Sequence, residues 1–118
     1  MYENHFPTIN RTAEAAIAPY RIVTTGSTEL VDVQADAVAD ALCGVNGSVA
    51  VAAGGRYDLN VSGIVPVEYG GNVARGNKLT TDASGRAVVI AAATDRVIGI
   101  AWESGDLGTI GSVLLRQS

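Results

Sequence analysis

From residue 17 onward, short apolar runs alternate with small clusters of Gly, Asn, Asp and Ser. Arg21–Thr25, Ser48–Ala52, Tyr57–Val61 and Gly63–Val67 are each of strand length, rich in β-branched residues and bounded by turn formers. The second half supplies Lys78–Thr81, Ala87–Ile90, Val97–Ala101 and Ser112–Leu115 in the same style. Asp82-Ala-Ser-Gly85 reads as a turn that returns the chain into the next strand, and Asn46-Gly47 and Gly70-Gly71 punctuate in the same way. Short strands with regular turn signals predict an all-β fold, a small single-domain β-barrel or β-sandwich.

The alanine-rich stretch Ala35–Leu42 would pass as two turns of helix. An internal repeat argues otherwise. Ile17-Ala18 followed by Ile22–Thr25 matches Val73-Ala74 followed by Lys78–Thr81 at an offset of 56. Asp40–Val45 matches Asp95–Ile100 at 55, and Tyr57–Val61 matches Ile110–Leu114 at 53. Leu42–Val45 therefore corresponds to a strand, which leaves only Ala35–Ala39 for a helical turn. The order of matches predicts two related β units packed together.

Residues 1–15 differ from the rest. All 14 glycines lie after residue 25, whereas the first stretch sets Tyr2, His5, Phe6, Pro7 and Ile9 among polar residues with no steady period. Pro7 disfavours a helix across His5 and Phe6. The expected organisation is an extended N-terminal arm over 1–15, docking on a partner or left as a frayed terminus or edge strand, and a β domain over 16–118.

Composition narrows the function. A net charge of −4, with one lysine (Lys78) and seven arginines, offers no basic stripe for a phosphate backbone, so no nucleic-acid partner is expected. No apolar run approaches a bilayer span, so no membrane partner is expected either. Residues 1–11 lack the charged-then-apolar layout of a signal peptide, which predicts a chain that is cytosolic when made. Alanine and valine dominate the apolar content, which leaves little bulk to line a deep pocket.

No constellation for catalysis emerges. His5 and Cys43 are each the single residue of their type, one in the arm and one in an inferred strand beside Gly44. Asp32, Asp36 and Asp40 would share a helix face and could hold a hard cation, but the repeat breaks that helix, and a solvated loop is the expectation. Glu103 and Asp106 flank Gly105 with nothing nearby to separate their pKa values, so they read as surface charge. Gly105–Gly111 runs into a strand rather than a helix, which makes it a hairpin connection and not a phosphate cradle. The chain is expected to be no enzyme, with no metal and no cofactor. Trp102, at a strand end, is either a core cap or an exposed partner-binding anchor.

Residues Gly70 to Val88, then Asp95–Ala101, then Gly108–Leu115, resemble the head decoration (capsid cement) proteins of tailed bacteriophages. The first half is similar to the same family more loosely, through Ala16–Val23 and Cys43–Val45, so the resemblance covers about residues 16–116. Asn77 stands where an aspartate is expected, and Trp102 where a smaller or aliphatic residue is usual. The resemblance implies a structural protein on the outer surface of the phage head. It further implies homotrimers that bind the major capsid protein and clamp its neighbouring subunits. On that footing Tyr2, His5, Phe6, Pro7 and Ile9 are expected anchors on capsid or neighbouring protomer, with Arg11 at their rim and Trp102 as a further contact. The rival expectation is a small-ligand or glycan-binding β-barrel, such as a fibre module.

Overall fold

The computed structural model describes residues 8–28, 31–37 and 40–115, and among them every regular element is a strand. The first five are β1 (Thr8–Ala13), β2 (Ile22–Thr25), β3 (Val31–Gln34), β4 (Leu42–Asn46) and β5 (Arg56–Asn60). They form a closed barrel in the order β1-β3-β2-β4-β5, in which β1 runs antiparallel to β5 and parallel to β3. The period of two does the work: Tyr57 and Leu59 on β5 turn inward, while Arg56 and Asp58 face solvent. Ala13, Ile17, Val23, Tyr57 and Leu59 fill the interior.

The second unit repeats the first strand for strand. It comprises β6 (Gly63–Glu68), β7 (Lys78–Thr81), β8 (Ala87–Val89), β9 (Gly99–Ala101) and β10 (Ile110–Leu115), in the order β6-β10-β9-β7-β8. That is the order of the first barrel, and the parallel β1–β3 seam returns as a single bridge between Tyr69 and Ala87. The connections repeat as well. Ile17 bridges Val51 as Val73 bridges Gly105. The Asp40 carboxylate accepts from the amides of Asp36 and Ala37, as the Asp95 carboxylate does from Ala91 and Ala92. Tyr20 takes a left-handed φ of 60° where the second unit has Gly76 at 94°. The expected pair of related β units is thus present and its first member is a closed barrel, but the register puts Gly111, not the expected Ile110, at the place of Tyr57.

One side chain shows how the two interiors diverged. In the first barrel Tyr57 of β5 fills the space beside Ala13. In the second, the tyrosine comes from the opposite strand: Tyr69 stands where Ala13 would, and Gly111 where Tyr57 would. A Cβ on Gly111 would lie 2.3 Å from the Tyr69 ring, so the bulk has changed sides while the packing is kept.

The structure redraws three expectations. Thr8–Ala13 is barrel strand β1 rather than part of an arm, because its backbone completes the β5 and β3 ladders. Ser48–Ala52 forms no strand and contributes only the Val51 bridge. Residues 35–37 are not helical; residues 38–39 lie outside the described residues. Strand β3, Val31–Gln34, was not expected.

The units meet end to side. Ile22, Ala35, Leu42 and Val45, on the outer surface of the first barrel, join one core with the interior of the second. The Ile22 amide donates to the Gly85 carbonyl at 2.7 Å, and the Glu68 amide donates to the Tyr20 carbonyl at 3.0 Å. Arg21 spans the joint, donating to the Ser84 carbonyl and to the Glu68 carboxylate.

Candidate interaction surface

The outer faces of the two units differ in a way the fold does not require. On the first, the register sets Thr8 opposite Asn60, Asn10 opposite Asp58 and Thr12 opposite Arg56. These polar side chains bind one another: Arg56 donates to Asn10 and Thr12, and Asn10 donates to Asp58. On the second unit the corresponding pairs are Ile64 with Leu114, Pro66 with Ser112 and Glu68 with Ile110. Ile64 is 52% exposed and Ile110 42%. A duplicated fold supplies its own control, and the polar version shows that this sheet folds without an apolar exterior. The apolar patch is therefore a candidate contact surface.

Trp102 extends that patch. It follows β9, its amide donates to the Ser112 carbonyl, and its ring is 43% exposed. The Arg75 guanidinium lies over the ring, 5.1 Å from its centroid, which holds the indole flat with one face covered by a cation. Leu107, in the next turn, is also exposed. Trp102 is therefore not the core cap that one of its two sequence readings made it.

The other expected contact residues are scattered. Tyr2, His5, Phe6 and Pro7 lie outside the described residues. Ile9 is on β1 and 45% exposed at the open mouth of the first barrel. Arg11 is no rim residue: it points into that mouth and grips Asp32 through two bonds of 2.8 Å, Nε to Oδ2 and Nη2 to Oδ1. Tyr57 donates its hydroxyl to the same Oδ2 at 2.8 Å.

Asp32 is thus only 2% exposed and fully engaged, not the solvated loop residue that its spacing suggested. No local pattern marks it, because the inward position of Val31-Asp-Val-Gln34 is the polar one. Around this group ionisation is tuned by burial. Desolvation, reinforced by the bond to Asp32, pushes the Tyr57 phenol far above the tyrosine range. Desolvation also pushes up the Cys43 thiol, with the Asp32 charge adding to it, so Cys43 is a poor nucleophile. The bond to Asp32 raises Arg11 further still. The arrangement is a structural triad in which the Asp32 carboxylate accepts from both Arg11 and Tyr57.

The remaining candidates resolve into turn chemistry. The Glu103 carboxylate accepts from the Ser112 amide, and the Asp106 amide donates to the Thr109 hydroxyl. Among the described residues, no group of three His, Cys, Asp or Glu gathers to hold a metal ion.

Comparison with known proteins decides the family. A family profile described as phage cement protein matches residues 3–117. The chain belongs to that family. Its members are structural proteins of phage particles. No curated protein matches the chain. Among solved structures, the fold is similar to the head fibre gp8.5 N base of bacteriophage phi29, with a TM-score of 0.69 and 19% identity over 92% of each chain.

Proposed function

We propose that the chain is a capsid decoration protein that binds the outer surface of the phage head, ties neighbouring major capsid subunits together and acts as a homotrimer without catalysing a reaction. One observation carries the reading beyond family membership. The second unit presents Ile64, Pro66, Ile110 and the half-buried Leu114 where the same fold in the first unit has Thr8, Asn10, Arg56 and Asn60, and Trp102 is exposed beside them. Apolar surface returned from water contributes roughly 25 cal/mol per Å². A patch of a few side chains gives only modest affinity per copy, which suits a lattice where many copies act together. The similarity to a phage head fibre base supports the same placement.

Co-sedimentation of the purified chain with expanded heads that lack it tests the proposal. Saturation at a fixed, symmetry-compatible ratio of copies per capsid subunit is expected. A folded chain that stays in the supernatant would overturn it.

A further inference from the structure

The joint inside the chain has a donor surface and an acceptor, and each has an unused counterpart. The donor is the outer surface of the first barrel, Ile22, Ala35, Leu42 and Val45. The acceptor is the end of the second unit, where Val65, Val67, Ala87, Ile98, Val113 and Leu115 are all buried. The repeat assigns an equivalent to every one of these positions.

At the corresponding end of the first barrel stand Ile9, Arg11, Asp32, Cys43, Leu59 and Val61. Among the described residues this end is open: these residues line a cavity of about 230 Å³, with Ile9 exposed and Cys43 and Val61 half-buried. On the second unit, the positions equivalent to Ile22, Ala35, Leu42 and Val45 are Lys78, Ile90, Val97 and Ile100. Lys78 is exposed and the other three are half-buried, so among the described residues this donor surface is only partly covered.

We propose that a second copy of the chain places the β7–β9 surface around Lys78, Val97 and Ile100 over the open mouth of the first barrel, head to tail. The contact continues from one copy to the next the interface already made between the two units of each chain. A head-to-tail contact whose rotation closes gives a ring, and this is the arrangement assigned to the homotrimer proposed above. For that stoichiometry alone the inference rests on the decoration-protein reading. The intermolecular version is the weaker one. Arg21 and Glu68, which pair across the intrachain joint, have Asn77 and Thr12 as their equivalents, and these bring no charge to the contact.

Sedimentation velocity on the full chain, with Lys78→Glu, Ile9→Asp and Val97→Cys variants, tests the contact. The unmodified chain is expected to sediment as a discrete oligomer. Lys78→Glu changes an exposed side chain and leaves the fold intact, so loss of association by tenfold or more with an unchanged circular dichroism spectrum is expected. Ile9→Asp, at the mouth, should act alike. Val97→Cys should form an intermolecular disulfide with the native Cys43 of the next copy under oxidised glutathione, whereas Thr109→Cys should not.

A chain that remains monomeric at every soluble concentration overturns the proposal. So does an oligomer indifferent to Lys78→Glu and free of the Val97–Cys43 cross-link. An oligomer that survives Lys78→Glu but dissociates when residues 1–7 are removed would give the mouth to the N-terminal segment instead. Head binding is scored separately: oligomers that ignore phage heads would remove the decoration role and leave this contact standing.

Discussion

Gly44 and Gly99 hold the same place in the two halves of the chain, each with its Cα against the backbone of a neighbouring strand. A Cβ on Gly44 would lie 2.2 Å from the Asn60 carbonyl oxygen, and one on Gly99 would lie 2.2 Å from the Leu114 carbonyl oxygen. In both cases the obstacle is backbone, which cannot turn away as a side chain could. Gly44→Ala and Gly99→Ala are each expected to cost about 3 kcal/mol, the upper part of the range for overpacking. Chemical denaturation of the two variants beside Gly47→Ala, where a Cβ would meet nothing within 4 Å, checks this.

The Arg11–Asp32 pair should behave as a unit. Asp32→Ala strands a guanidinium and a phenol, and Arg11→Val strands a carboxylate that is almost wholly buried. Breaking a buried pair costs about 3–5 kcal/mol; with Arg11 about a quarter exposed, the lower figure is expected. The second unit carries Val67 and Ala87 at these positions, both fully buried. The double variant Arg11→Val with Asp32→Ala should therefore be at least about 1 kcal/mol more stable than the two single losses summed. A double-mutant cycle in urea measures the coupling.

Alkaline pH should weaken the fold through Tyr57. Its phenol is held protonated by burial and by donating to Asp32, whereas an unfolded chain releases that proton near pH ~10. The stabilisation is complete below that pH and is lost as the pH climbs above it, because only the unfolded state gives up its proton. Tyr69, raised by burial and by the Glu103 charge, acts in the same direction. Urea midpoints from about pH 8 to 11 should fall steeply above about pH 10. Tyr57→Phe should flatten that fall while lowering stability at neutral pH by about 1–3 kcal/mol.

Trp102 and Arg75 separate binding from folding. The indole is exposed and its cation partner lies on the surface, so Trp102→Ala should leave the melting temperature nearly unchanged. In co-sedimentation, the same variant should reduce head binding tenfold or more, and Ile64→Asp with Leu114→Asp should do the same. Asn10→Asp, on the polar exterior of the first unit, should bind as the unmodified chain does. Equal binding by all of these would remove the second unit's exterior from the contact.

Seven of the ten strands were legible because each carries a β-branched run bounded by turn formers, and β4 was legible through its match to β9 in the repeat. The two that were not, β1 and β3, have polar residues facing inward or along the seam: Arg11 and Asp32 broke the apolar alternation that marks a strand. They do so because they satisfy each other inside the barrel, a relation between residues 21 positions apart that no local pattern can display. Ser48–Ala52 erred the other way. Its Val-Ala-Val pattern reads as a strand, yet among the described residues its only ladder partner is Ile17, so it is a loop. The interaction surface was half visible. Trp102 stood out by its position at a strand end, but Ile64 and Leu114 became neighbours only through the β6–β10 register.

Only Val61 and Ser62 separate the last strand of the first barrel from the first strand of the second. The two units are therefore held at an effective concentration set by a tether of two residues, independent of how dilute the surroundings become. Contacts between separate chains weaken when a particle leaves a crowded cell for open water; this one does not. Each copy leaves with the joint between its two units made permanent by the peptide bond.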